Sequence, residues 1–177
     1  MTTRTATESS LVVSYLVMPA DTNPAGNVHG GVIMKHIDNT AGIVAYRHAR
    51  ANVVTASIDR LDFHNPAFVG ELLTLKACLN YVGRSSMEIG VRVEAENLLS
   101  GEVRHIASAY LTFVSLDEKH RPKEVPQLLF QTEGECRRNR EAIERNKMRK
   151  LEKQKEKKAL GDCLPSDGVA RSESSKS

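Results

Sequence analysis

The sequence predicts an α+β fold in which one long helix lies against an antiparallel sheet. Three observations carry that expectation. The stretch that follows His29-Gly30-Gly31 repeats apolar residues at helical spacing as far as about residues 48–50. Four later segments alternate apolar and polar residues at a period near two, and the turns between them are too short to hold another helix. Pattern alone leaves several helix-on-sheet arrangements open.

The elements follow in order. The first ten residues, MTTRTATESS, contain no apolar core of signal-peptide length and read as a flexible tail. Residues 11–18 are apolar and rich in β-branched and aromatic types, as in a first strand. A loop from Asn23 then carries turn chemistry in Pro24, Gly26 and Asn27. On a helical wheel Met34, Ile37, Asp38, Ala41, Val44, Ala45 and His48 share a broad face, with Val32 and Ile43 almost opposite. A helix apolar nearly all round is expected to be enclosed by a sheet and to touch a partner. Asp38 is the exception, an ionisable group where carboxylates are expensive unless bonded or used.

Strands are then expected over residues 53–64, 71–82, 86–97 and 103–116, joined as consecutive hairpins by residues 65–70, 83–85 and 98–102. The first alternates only loosely. In the third, Met87, Ile89, Val91, Val93 and Ala95 alternate cleanly with charged residues such as Glu88 and Arg92. Residues 133–160 change character, with six acidic and eleven basic groups, whereas residues 1–132 carry thirteen and twelve. The formal charge of +3 therefore comes from the appendage. The expected organisation is a flexible segment 1–10, a domain 11–130, a charged helical extension 131–160 and a disordered tail 161–177. The extension reads as a solvated helix with i,i+4 charge pairs, and contact with nucleic acid or an anionic surface is not expected of it.

Composition bounds the function. A chain of 177 residues, 40% of them hydrophobic, suits one core with an appendage. No run approaches the roughly 18 apolar residues of a spanning helix. Cys78, Cys136 and Cys163 show neither zinc spacing nor a disulfide framework, so a reducing, cytoplasmic setting is the default.

The chemistry narrows by type. No G-x-S-x-G elbow occurs. The cysteines fall in a strand interior or in the tail. No two of the six histidines stand at i,i+4, so no metal site is expected. Gly30-Gly31 at a helix start leaves backbone N–H groups uncovered, suited to an anion or a polarised carbonyl oxygen. With that oxyanion site two turns ahead of it, Asp38 is the best candidate as general base or as nucleophile in a hydrolysis. Arg84, Ser85 and Ser86 place a cation and two hydroxyls at a hairpin tip, suited to phosphate.

Asn23, Gly26-Asn27-Val28-His29-Gly30-Gly31, Ile33-Met34-Lys35, Ile37-Asp38 and Ala41-Gly42 together resemble the signature of hotdog-fold acyl-CoA thioesterases. The nearest branch is the cytosolic, brain-type hydrolases and their bacterial relatives. The likeness runs from about residue 11 to residue 126, through Asp59-Arg60-Leu61-Asp62-Phe63 and Gly83-Arg84-Ser85-Ser86. It implies a sheet wrapped round the helix and an enzyme that releases fatty acid and CoA without a bound cofactor. It further implies catalytic roles for Asp38, Asn23 and Gly31, with the Gly31 N–H facing the thioester oxygen. His29 and Gly30 would shape the turn or touch substrate, and the Arg84–Ser86 tip matches a CoA-binding hairpin. A groove along Met34, Ala41 and Phe63 would take the acyl chain. The resemblance also implies a homodimer, in which Asp38 of one chain meets Asn23 of the other, and a larger homo-oligomer such as a hexamer. Two alternatives remain at this level: a hotdog enoyl-CoA hydratase and a non-catalytic acyl-CoA-binding module.

Overall fold

The helical and alternating segments fold as their patterns predict, and the computed structural model describes residues 2–162. In chain order the elements are β1 (Thr3–Thr5), α1 (Ala6–Ser9), β2 (Leu11–Leu16), a 3-10 turn (Pro19–Asp21), α2 (Gly30–Ala49), β3 (Asn52–Phe63), β4 (Leu72–Val82), β5 (Ser86–Glu96), β6 (Val103–Leu116), β7 (Gln127–Leu129) and α3 (Glu133–Asp162). A five-stranded antiparallel sheet, in the order β2-β4-β5-β6-β3, wraps α2 as the resemblance implies. Ile37, Ala41, Val44 and Ala45 of the helix pack with Leu75, Met87, Ile89, Val93 and Leu111 of the sheet, and none is more than 1% exposed. Each such large side chain contributes about 1.5–3 kcal/mol by leaving water.

The helix is not covered all round. Met34, Ile43 and Tyr46 are 40–50% exposed, and Met34 stands outside the buried face that the wheel assigned to it. The buried stripe runs from Ile33 through Ile37, Thr40, Ala41, Val44 and Ala45 to His48 and Ala49. Asp38 lies on the margin of that stripe, half-buried. Phe63 is 48% exposed as well, so the groove expected along Met34, Ala41 and Phe63 is not a dry one in a single chain.

The expected hairpin between residues 53–64 and 71–82 does not form. β3 pairs with β6 and β4 with β2, at opposite sides of the sheet. The connection between them crosses the start of α2, because its backbone is paired with the loop before that helix: the Val28 N–H donates to Ala67 O, and Asn27 bridges Phe68. Buried Glu71 pins it from the other side, accepting from the Phe68 N–H and, at 2.6 and 2.8 Å, from Arg104.

Both ends of the expected domain also move. Residues 2–10, expected to be a flexible tail, are instead folded. β1 runs parallel to β7, Ala6 and Ser9 are buried, and Arg4 donates to the Arg47 and His48 carbonyls at the end of α2. A partner about 120 residues away in sequence supplies that order. At the other end the chain divides into units of residues 1–143 and 144–177, so the boundary expected at residue 130 falls inside the first. The first turns of α3 carry fully buried Ala142, and Asn139 donates to the Asn80 carbonyl at 2.8 Å. Glu88, which alternation assigns to the solvent face, is only 3% exposed and accepts from Asn80. Gly90 provides the room: a Cβ there would stand 2.6 Å from Asn80 Nδ2. The second unit consists, among the described residues, of the remainder of α3, with a Lys147–Glu144 pair at 2.8 Å. The tail expected to be disordered lies, apart from residues 161 and 162 at the end of α3, outside the described residues.

Candidate active site

His29 is the N-cap of α2, and its Nδ1 accepts from the Gly31 N–H at 2.9 Å. The backbone donor expected to stand open is therefore already capped by a side chain two residues away. Glycine at position 31 keeps that cap close, since a Cβ would lie 3.1 Å from His29 Nδ1. The Phe63 ring packs over Gly30, where an added Cβ would stand in ordinary contact at 3.6 Å. Beside it opens a cavity of about 360 Å³ whose lining includes Asn27, Gly30, Phe63 and His64. His64 stacks on His105, ring centroids 4.5 Å apart, and burial with nearby Arg92 holds the His105 imidazole below its usual pKa.

Asn23 closes the preceding loop on itself. Its Oδ1 accepts from the Ala25 N–H at 2.9 Å, its Nδ2 donates to Asn27 Oδ1, and its N–H donates to the Asn27 carbonyl. The side chain thus holds the turn as an Asx motif.

Asp38 faces the edge strand. Thr55 Oγ1 donates to Asp38 Oδ1 at 2.8 Å, and Oδ2 has no protein hydrogen bond among the described residues. Thr55 sits where β3 loses its regular alternation. The register with β6 slips between Thr55 and Ser57 and again between Ile58 and Arg60. Bulges of this kind re-aim side chains beside sites. Asp59 pins the bulged stretch, accepting from Ser57 Oγ and from Thr112 Oγ1 at 2.6 and 2.7 Å. Thr55 was not among the residues singled out from sequence. The available signal was ordinary alternation, which puts Thr55 on the same face as buried Val53 two residues earlier.

The predicted residues do not form one cluster. Gly31 and Asp38 stand seven residues apart, about 10 Å of helix rise. Arg84, Ser85 and Ser86 lie at the opposite end of α2, where Arg84 and Ala49 line a common cavity of about 750 Å³. The hairpin tip is fixed by the Gly83 N–H donating to Ser86 O and the Ser115 N–H donating to Ser85 O, while the Arg84 side chain is exposed.

A sequence model of the thioesterase superfamily matches residues 25–101. Over 165 residues the chain is 39% identical to the uncharacterized acyl-CoA thioester hydrolase YkhA of Bacillus subtilis, covering 93% of this chain and 95% of that one. The chain belongs to the thioesterase superfamily. This hotdog-fold member superposes on the crystal structure of an apo-hexameric acyl-CoA thioesterase with a TM-score of 0.84 and 41% identity, covering 86% of this chain and 97% of that one. An acyl-CoA hydrolase from Staphylococcus aureus, solved with butyryl coenzyme A, coenzyme A and coenzyme A disulfide, gives a TM-score of 0.83 at 34% identity. That match covers 90% and 97% of the two chains. The same hydrolase has also been solved with an aspartate, an asparagine or a threonine replaced by alanine, the asparagine variant holding coenzyme A.

Proposed function

We propose that this protein hydrolyses fatty acyl-CoA to a free fatty acid and CoA, at a site completed by two copies of the chain. The observation that carries this reading is the Thr55–Asp38 hydrogen bond in a thioesterase-superfamily fold. In the Staphylococcus aureus hydrolase the substituted aspartate lies fifteen residues after the asparagine and seventeen before the threonine. Asn23, Asp38 and Thr55 have the same spacing here.

Thr55 fixes one carboxylate oxygen of Asp38, and Oδ2 is left to take a proton from water. The water oxygen bonds to the thioester carbon as the carbonyl oxygen becomes an oxyanion. Collapse breaks the carbon–sulfur bond, and the departing thiolate recovers the proton from Asp38. The Gly31 N–H of the second copy stabilises the oxyanion, the carbonyl oxygen replacing His29 Nδ1 as its acceptor. Asn23 of that copy orients the water. Arg84, Ser85 and Ser86 hold phosphate groups of the CoA. Water, a base and an oxyanion donor are all the chemistry requires, so we assign no cofactor.

Sharing is supported by exposed surface. β3 is an edge strand, and Met34, Ile43 and Tyr46 on α2, with Val54 and Ile58 on β3, are 40–50% exposed. Pairing of β3 with its two-fold mate would cover both. Further association into a hexamer is in keeping with the hexameric relative. The charged extension takes no part in the reaction. Free thiols at Cys78 and Cys136 suit a reducing, cytoplasmic setting, and no helix of the described residues is long and apolar enough to cross a membrane.

A thiol-release assay across acyl-CoA chain lengths tests the reading. Saturable hydrolysis is expected. Tight binding of every acyl-CoA without turnover would replace the enzyme with a binding module.

A further inference from the structure

Two cavities meet at Lys123, at the end of the domain where α2 terminates. One, of about 680 Å³, is lined by Arg50, Lys119 and Arg121 among others, and the second, of about 750 Å³, by Arg4 and Arg84; Lys123 lines both. Arg121 is neutralised by Asp117, which accepts from it at 2.9 and 3.0 Å. Five cations then remain around the two cavities against Glu118 and Glu124. This excess is local. Residues 1–143 as a whole carry sixteen acidic and fifteen basic groups. The carbonyl end of a helix would by itself repel an anion. Arg4 removes that obstacle by donating to the Arg47 and His48 carbonyls. Lys123 is exposed and makes no ion pair among the described residues.

The spacing to Asp38 fits one kind of anion. Eleven residues separate Asp38 from Ala49, which lines the cavity with Arg84 and Lys123, and that is about 16 Å of helix rise. The arm of acyl-CoA between thioester sulfur and first phosphorus has about thirteen bonds. A polypeptide spans at most about 3.3–3.6 Å per three bonds, so the arm reaches about 15 Å when extended. A thioester held at Asp38 therefore has an arm long enough to bring its phosphates to these cavities.

We infer that Lys123, with Arg50 beside it, forms a phosphate clamp continuous with Arg84, and that this clamp binds the phosphorylated nucleotide end of acyl-CoA. The inference rests on the hydrolase reading for its ligand. The turn over residues 117–123 thereby becomes part of substrate recognition, a role that neither its composition nor the hairpin tip discloses.

Lys123→Glu tests it, with an unchanged melting temperature as the folding control. KM for acyl-CoA should rise about tenfold or more with kcat near wild type, the loss of one charge-assisted contact and its replacement by repulsion. KM for the matching S-acyl-pantetheine, which has neither phosphate nor nucleotide, should not move. Calorimetric binding of free CoA should weaken in parallel and fall with added salt in the wild type. This last measurement stands even if the protein hydrolyses nothing, so failure of the clamp and failure of the hydrolase reading remain separate. Adenosine 3′,5′-bisphosphate should compete with acyl-CoA. Noncompetitive inhibition that depends on Lys123 would overturn the assignment in favour of a separate effector site. Unchanged CoA affinity in Lys123→Glu, or an equal rise in KM for S-acyl-pantetheine, would overturn it outright.

Discussion

The Thr55 hydroxyl donates to the Asp38 carboxylate at 2.8 Å, tying the middle of α2 to the edge strand β3. One carboxylate oxygen is thereby occupied and oriented while the other stays available. Asp38→Ala should abolish most turnover and leave free-CoA affinity nearly unchanged, because a base acts on the transition state. Thr55→Ala should lower kcat about tenfold, the worth of one hydrogen bond to a charged group, with Thr55→Ser restoring most of it. A Thr55→Ala enzyme with wild-type kcat and pH profile would remove Thr55 from the mechanism.

Mixed oligomers test the shared site. An equimolar mixture of Asn23→Ala and Asp38→Ala chains, unfolded and refolded together, should recover roughly a quarter of all sites, since half the dimers are mixed and each has one intact site. Both residues acting from one chain would give no recovery despite demonstrated mixed dimers.

Truncation should discriminate between two ends of the domain. Ending the chain after residue 143 should leave a folded, active protein. Ending it after residue 131 removes Ala142 and Asn139 and strips cover from the Asn80–Glu88 pair, which should cost at least about 3 kcal/mol. Equal melting temperatures for the two truncated proteins would show that the base of α3 adds nothing to the domain.

Acid should destabilise the fold partly through His48. The ring is fully buried, its Nε2 lies 2.8 Å from the Pro126 carbonyl, and burial, with Arg4 nearby, holds its pKa below the usual 6.5; the Pro126 bond and Glu8 oppose the shift only in part. Above pH 6.5 both folded and unfolded states keep it neutral. Below that the unfolded state takes the proton first, so stability falls as pH drops from 6.5 towards the lowered value. His36 and His105 are lowered as well and act in the same direction. The melting temperature should decline between pH 7 and pH 5, and His48→Gln should flatten that decline. An unaltered slope would exclude His48 as a contributor.

The sequence by itself determined the long elements and the candidate residues. Periodicity is a local property, so α2 and the four long strands were legible to within a residue or two, and the signature from Asn23 to Gly42 named Asp38 and its neighbours. Tertiary structure decided what depends on partners distant in the chain. β3 joins β6 and leaves β4 to β2, because the intervening loop pairs with residues 27 and 28. The segment from Thr3 to Ser9 is ordered by β7 and by the carbonyl end of α2. Asp38 meets Thr55 across the edge strand, on the face that carries buried Val53, and His29 covers the very N–H that two glycines expose. A side chain's neighbours across a sheet or round a helix start are fixed by packing and hydrogen-bond satisfaction, which local patterning does not encode.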